Sequence, residues 1–118
     1  MMNIRSRLYF YLENENINKD SSTILMIGCS KELLNKWISW NKELDNLYED
    51  IHIDHFIPLS SYNCKTFDDI IESKCNHWTN LRPMKAFDNM SKGSKIPINI
   101  EKIKMELRVN IFQKKYNL

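Results

Sequence analysis

Two prolines limit the parts of this chain that can form a sheet. Residues 51–59 alternate in polarity and are β-branched at their start, but Pro58 lacks the amide donor of an interior strand residue. A second segment of this kind, residues 80–84, contains Pro83. We therefore predict two short strands, at about 51–57 and 80–84, in a chain whose other patterns are mainly helical.

The amino-terminal part shows helical periodicity twice. Residues 3–12 predict a short helix, and the polar run 13–22 predicts a loop. Ser30 is a candidate N-cap for an amphipathic helix of roughly three turns. The apolar stripe of that helix contains Trp37, which we expect in the core, whereas Trp40 could lie in the core or at the surface.

The segment between the two strands, residues 60–79, is predicted to contain a helix at about 67–73. After the second strand, a helical pattern at 85–91 can be closed by Gly93. The resulting order is strand, excursion, strand, helix. His77, at the end of the excursion, is expected to be structural or a helper near Asn80.

The last segment of the chain combines an apolar stripe with basic residues. Beyond Pro97 the stripe predicts a packed helix with a basic outer face. Residues 82–118 carry 9 Lys/Arg against 3 Asp/Glu, whereas residues 1–81 carry 8 against 12. Such asymmetry suggests a polyanion partner that is met by one face, although a solvated helix surface has the same appearance. The stripe consists of Ile100, Ile103, Leu107 and Ile111.

Size and composition are those of one soluble globular domain. The chain has 118 residues, of which 42% are hydrophobic and 27% charged. Its longest apolar stretch, residues 23–28, is far shorter than the ~20 residues of a membrane-spanning helix. The segment after Arg5 and Arg7 is too acidic for a signal-peptide core. We expect an intracellular protein with no membrane partner.

The densest chemical information lies in residues 52–55. Strand alternation sends His52 and Asp54 to one face and His55 to the other. A carboxylate and an imidazole that approach one site from different directions suit metal-assisted hydrolysis, the first as a hard oxygen ligand and the second as a proton acceptor. Phosphodiester cleavage also requires positive charge near the phosphate backbone of the nucleic acid. We expect contacts to nucleic acid from His52, Arg82, Lys92 and Lys95.

Three blocks in order, residues 52–60, 80–84 and 88–93, make the chain similar to the HNH endonuclease family, which has a ββα-metal fold. Residues 27–30 and the helix after them also resemble the amino-terminal part of phage and large-DNA-virus HNH proteins. The resemblance therefore covers most of the chain. It implies an α+β domain over 1–118, with a helical part at 1–50, a ββα-metal core at 51–95 and a basic carboxyl-terminal helix at 96–118.

Carried over by position, the resemblance implies that Asp54 and Asn89 bind one Mg²⁺ or Mn²⁺ ion. It implies that His55 activates a water molecule and that Asn80 holds the hairpin and orients His55. Asn89 stands where the family name has its final His, and an amide oxygen suits Mg²⁺. The cysteine pairs that bind zinc in many HNH domains are absent. We expect three free thiols and no structural zinc.

The expected activity is metal-dependent hydrolysis of DNA phosphodiester bonds, with His55 as general base. Double-stranded DNA is the first expectation for the substrate, and a homodimer or a partner protein would allow double-strand cleavage. The location would be the cytoplasm, or the nucleus of a host cell if the protein is viral. Two alternatives stay open: a catalytically inactive DNA-binding module of HNH fold, and a nuclease that acts on structured RNA.

Overall fold

The computed structural model describes residues 21–118, which combine α-helices with a two-stranded antiparallel sheet. This agrees with the α+β class expected from the sequence. The helix predicted at 3–12 lies outside the described residues, and the loop predicted at 13–22 is wrong at its last two positions, which begin a helix. The elements are α1 (Ser21–Ile27), α2 (Lys31–Leu44), β1 (Ile51–His55), α3 (Phe67–Ser73), β2 (Leu81–Lys85), α4 (Ala86–Lys92) and α5 (Asn99–Tyr116), with 3-10 turns at Leu59–Ser61 and Trp78–Asn80.

Helix α2 begins where its sequence predicts. The Ser30 side chain accepts a hydrogen bond from the Leu33 amide at 3.2 Å, which satisfies a donor that the first turn of a helix leaves without a partner. Leu34, Trp37 and Ile38 form the buried side of the helix. The predicted N-cap and the predicted core position of Trp37 are therefore confirmed.

The two strands pair antiparallel, with Ile51 opposite Lys85 and His55 opposite Leu81. β1 is shorter than predicted because the chain leaves the sheet after Phe56 and turns at Pro58. β2 begins one residue later than predicted, since Asn80 belongs to the preceding 3-10 turn. Each strand of a two-stranded sheet has one edge that pairs with no other strand. Pro83, which has no amide N–H to donate, is therefore tolerated in β2.

The connection between the strands is held by local hydrogen bonds. Thr66 caps α3 by accepting from the Asp69 amide at 3.1 Å, and the Asp69 carboxylate accepts in return from the Thr66 amide at 3.1 Å. The helix lies at Phe67–Ser73, as predicted. Because the connection is ordered, it returns residues 75–80 to the end of β1, where the Phe56 amide donates to the Asn80 carbonyl oxygen.

The hydrophobic core joins α2, α5 and the start of β2. The indole Nε1 of Trp37 donates to the Leu81 carbonyl oxygen at 2.7 Å, which fixes β2 against α2. The Trp37 ring meets Trp78 and Phe112 edge-on, each with ring centroids 5.1 Å apart. Trp40 is half-buried and packs on Phe112. The buried cluster comprises Ile27, Leu34, Trp37, Ile38, Phe56, Trp78, Leu81, Met105 and Phe112.

Helix α5 packs through a different side from the one predicted. Its buried residues are Met105 and Phe112, with Val109 and Tyr116 partly buried on the same side. Both sides of the helix carry apolar residues at helical spacing, and the aromatic ring of Phe112 fits among the tryptophans. The lysines of the predicted basic face are exposed. The predicted packed stripe is exposed by 52% at Ile100, 60% at Ile103, 57% at Leu107 and 48% at Ile111.

None of the helices within residues 21–118 is both long and apolar enough to cross a membrane.

Candidate active site

A cleft of about 560 Å³ lies between β1, α4 and the turn that follows β1. It brings together residues from two blocks of the sequence that are separated by the whole excursion between the strands. Asn80, Arg82 and Lys95 do not line it. The predicted site residues that do line the cleft are His52, Asp54, His55, Asn89 and Lys92.

Asp54 is the most constrained of these residues. The residue is 1% exposed, and one carboxylate oxygen, Oδ2, accepts from both Arg82 Nε at 3.2 Å and Lys92 Nζ at 3.0 Å. Arg82 lies opposite Asp54 in the sheet, and its guanidinium also covers the ring of Phe56. The Arg82 guanidinium therefore forms an ion pair with Asp54. The two cations compensate electrostatically for the burial of this carboxylate.

Lys92 ties helix α4 to β1. Besides its bond to Asp54, Nζ donates to the main-chain oxygen of His55 at 2.9 Å, and the side chain is 11% exposed. Both acceptors belong to consecutive residues of one strand. The two predicted phosphate contacts Arg82 and Lys92 are thus directed into the protein and not toward solvent.

Asn89 reaches the cleft from the middle of α4 and is 6% exposed. Its amide Nδ2 lies 3.3 Å from His52 Nδ1, which accepts the hydrogen bond. Because the nitrogen faces His52, the amide oxygen is turned to the other side. Gly93, with φ of +55°, ends the helix directly behind the site and donates its amide to the Asn89 carbonyl oxygen. His52 therefore positions Asn89.

The donor chemistry of the cleft fits a hard divalent cation. Asp54 offers a carboxylate and Asn89 an amide oxygen, which are ligands that Mg²⁺ and Mn²⁺ accept while they retain several waters. In the described residues no group of three His, Cys, Asp or Glu side chains is placed to hold a metal ion. The Lys92 ammonium shows that a cation is already accommodated beside Asp54. The set is sparse and would hold such an ion weakly.

His55 is held by a residue that no motif in the sequence singles out. Its Nε2 lies 2.5 Å from the side-chain oxygen of Asn76, and both residues are almost completely buried. The other end of the Asn76 amide donates to the sulfur of Met26 at 3.7 Å. Since an amide oxygen only accepts, the proton of the neutral imidazole lies on Nε2 and the acceptor lone pair on Nδ1. The sole sequence signal for Asn76 is its position shortly before the block 80–84.

Asn80 braces the turn after β1. Its amide Nδ2 donates to the carbonyl oxygens of Ile57 at 3.1 Å and Cys75 at 2.8 Å, and its Oδ1 accepts from the Ile57 amide at 2.8 Å. These contacts tie the turn after β1 to the segment before β2. The side-chain hydrogen bond to His55 is made by Asn76, whereas the side-chain bonds of Asn80 go to main-chain groups of Ile57 and Cys75.

His77 and Lys95 lie outside the cleft. His77 Nδ1 accepts from the Thr79 amide at 3.3 Å and hydrogen-bonds with the Thr79 hydroxyl at 2.8 Å, which begins the 3-10 turn before β2. Burial, with a smaller contribution from Lys74, lowers the pKa of His77 below its usual 6.5. These contacts agree with the expected structural or helper role of His77 near Asn80. Lys95 is exposed in the segment after α4.

The cysteines are free thiols, as predicted. Burial raises the pKa of Cys29 to about 12, and burial also raises the pKa of Cys75. Both thiols therefore stay protonated near neutral pH, and a protonated thiol is a poor nucleophile and metal ligand.

Comparison with known proteins finds relatives in a giant virus. One uncharacterized protein of Acanthamoeba polyphaga mimivirus is 33% identical over 120 residues, which cover 98% of this chain and 50% of the viral protein. A second uncharacterized protein of the same virus is 30% identical over 96 residues, 75% of this chain and 39% of that protein. The chain thus spans half or less of the length of these relatives. No family model matches it, and no solved structure does so either.

Proposed function

We propose that this chain is a divalent-metal-dependent endonuclease of the HNH type that hydrolyses DNA phosphodiester bonds. The supporting observation is that Asp54, His55 and Asn89 meet in one cleft, although Asn89 lies in a different element from the other two. The antiparallel pair β1 and β2, followed directly by α4, has the order that a ββα-metal unit requires. The exposed lysines of α5 add positive charge for a polyanion.

In this proposal Asp54 and Asn89 hold one Mg²⁺ or Mn²⁺ ion. The bound ion supplies positive charge to the phosphate oxygens and the leaving group. His52 keeps the Asn89 amide turned so that its oxygen is available, through the contact at 3.3 Å. The Asp54 carboxylate is held between Arg82 and Lys92. These contacts prepare oxygen ligands before any substrate binds.

His55 is the general base. Its Nδ1 takes a proton from a water molecule in the cleft, while the water oxygen bonds to phosphorus and the bond from phosphorus to the leaving sugar oxygen breaks. That oxygen takes a proton from solvent. Asn76 holds the proton of the resting imidazole on Nε2, so that Nδ1 is the nitrogen that accepts. Asn80 braces the turn that forms one wall of the cleft.

The test is cleavage of supercoiled plasmid by purified protein in Mg²⁺, Mn²⁺ or EDTA. We expect metal-dependent nicking or linear product that is lost in His55→Ala, while DNA affinity measured by fluorescence anisotropy is retained. His77→Gln is the matched control, because it removes an imidazole that lies outside the cleft. Melting temperatures verify that each variant is folded.

The other outcomes separate the alternatives. DNA binding that needs no metal, with no cleavage under any condition, would favour the inactive binding module. Cleavage of a structured RNA in preference to plasmid would keep the mechanism and change the substrate. Cleavage that persists in His55→Ala would contradict the assignment of the base.

A further inference from the structure

We infer that Lys92 occupies the cation position of the cleft in the free protein and that a divalent ion must displace it from Asp54. This inference rests on the proposed function, since it concerns the same metal site. It assigns Lys92 a role that differs from a simple phosphate contact. The observation that carries it is the placement of one ammonium between two oxygen atoms of the site.

The ammonium is arranged like a bound cation. Its nitrogen lies 3.0 Å from Asp54 Oδ2 and 2.9 Å from the main-chain oxygen of His55, and the side chain is 11% exposed. A surface lysine usually keeps its charged end in water. Burying this charge is favourable only because both oxygens compensate for the lost hydration. The site is therefore already organised around a positive charge.

A divalent ion and the ammonium exclude one another at Oδ2. Arg82 already donates to the same oxygen at 3.2 Å, so Oδ2 is close to saturated in the free protein. A divalent ion at Oδ2 would lie within a few ångströms of both the Lys92 ammonium and the Arg82 guanidinium. Three positive charges so close together repel strongly at low dielectric. Metal binding at Oδ2 thus requires the Lys92 side chain to leave, while Arg82 can remain on the strand opposite Asp54.

The displaced ammonium stays at the entrance of the cleft. Lys92 lies at the carboxyl end of α4, three residues after Asn89 and next to Gly93, and it lines the cleft together with them. A flexible lysine released there can contact a phosphate of the bound backbone. Metal and substrate would then support one another, because the substrate phosphate offers the released ammonium a new partner.

The experiment measures Mn²⁺ binding to the protein without DNA, by the electron paramagnetic resonance signal of free Mn²⁺. Lys92→Met removes the competing charge and keeps an unbranched side chain that is one atom shorter. We expect it to bind Mn²⁺ about tenfold more tightly than wild type, since loss of one charge-assisted hydrogen bond changes an affinity by that order. Lys95→Met, which removes the same charge from a nearby exposed position, should change the affinity less than about twofold.

Three other results would overturn the inference, and they are distinguishable from each other. Equal or weaker Mn²⁺ binding by Lys92→Met, in a variant shown to be folded by its melting curve, would make Lys92 a structural tie between α4 and β1. An equal gain in Lys95→Met would assign the effect to net charge. Binding that is absent in all variants, or unchanged by Asp54→Asn, would reject the proposed metal site itself.

Discussion

Replacing Asn80 with alanine should destabilise the protein strongly, whatever its activity. The change removes three hydrogen bonds and leaves the Cys75 carbonyl oxygen and both main-chain groups of Ile57 without their partner. An unsatisfied buried polar group costs about 1–3 kcal/mol, and the part-buried groups of Ile57 can partly rehydrate. The expected loss in the free energy of unfolding is therefore roughly 2–4 kcal/mol.

The assay is urea unfolding followed by circular dichroism, together with a thermal melt. For a chain of this length, 1 kcal/mol corresponds to about 4 °C in Tm, so Asn80→Ala should melt about 8–16 °C lower. Asn80→Asp retains only the acceptor and places negative charge against two carbonyl oxygens, so it should not restore stability. Asn110→Ala on the exposed side of α5 is the control, with an expected change within about 0.5 kcal/mol. A loss below about 1 kcal/mol for Asn80→Ala would refute the bracing role.

The remaining predictions concern packing and pH. Phe112→Ala should cost about 3–5 kcal/mol in urea unfolding and Leu107→Ala less than about 1 kcal/mol, whereas equal losses would contradict the observed packing side of α5. Gly28→Ala should lower the free energy of unfolding by about 2 kcal/mol or more, because φ is +74° and an added Cβ would overlap the His77 ring. If the same substitution costs as much in a His77→Ala background, this overlap is disproved. Because the folded state lowers the pKa of His77 from 6.5, the unfolded state binds more protons and stability should fall as the pH drops below 6.5. His77→Gln should reduce that slope between about pH 7 and pH 5, and an unchanged slope would reject the assignment.

The local elements were predictable because each depends on neighbours along the chain. Ser30 satisfies an amide three residues away, and the helix at 67–73 is stabilised by a capping box within a few residues. The order strand, excursion, strand, helix followed from Pro58 and Pro83 and from the periodicity around them. The strand ends shifted by one or two residues, since they depend on cross-strand hydrogen bonds such as that from Phe56 to Asn80.

The site was predictable in its residue types and not in its contacts. The resemblance and the strand alternation selected Asp54, His55 and Asn89, which the structure places in one cleft. The partner of His55 lies 21 positions away, beyond the helix of the excursion, and nothing local marks Asn76. The pairing of Lys92 with Asp54 likewise depends on the position of α4 against β1, which no sequence spacing specifies.

Helix α5 separates what the sequence determines from what only the tertiary structure decides. Its sequence determined that a helix forms, because apolar residues at spacings of three and four match the turn of an α-helix. Two sides of that helix satisfy the same spacing, one with Ile103 and Leu107 and the other with Met105 and Phe112. Only the tertiary structure decided between them, because the buried side must fit the space beside Trp37 and Trp78. That space is formed by surfaces from distant parts of the chain, and their close packing cannot be deduced from local spacing.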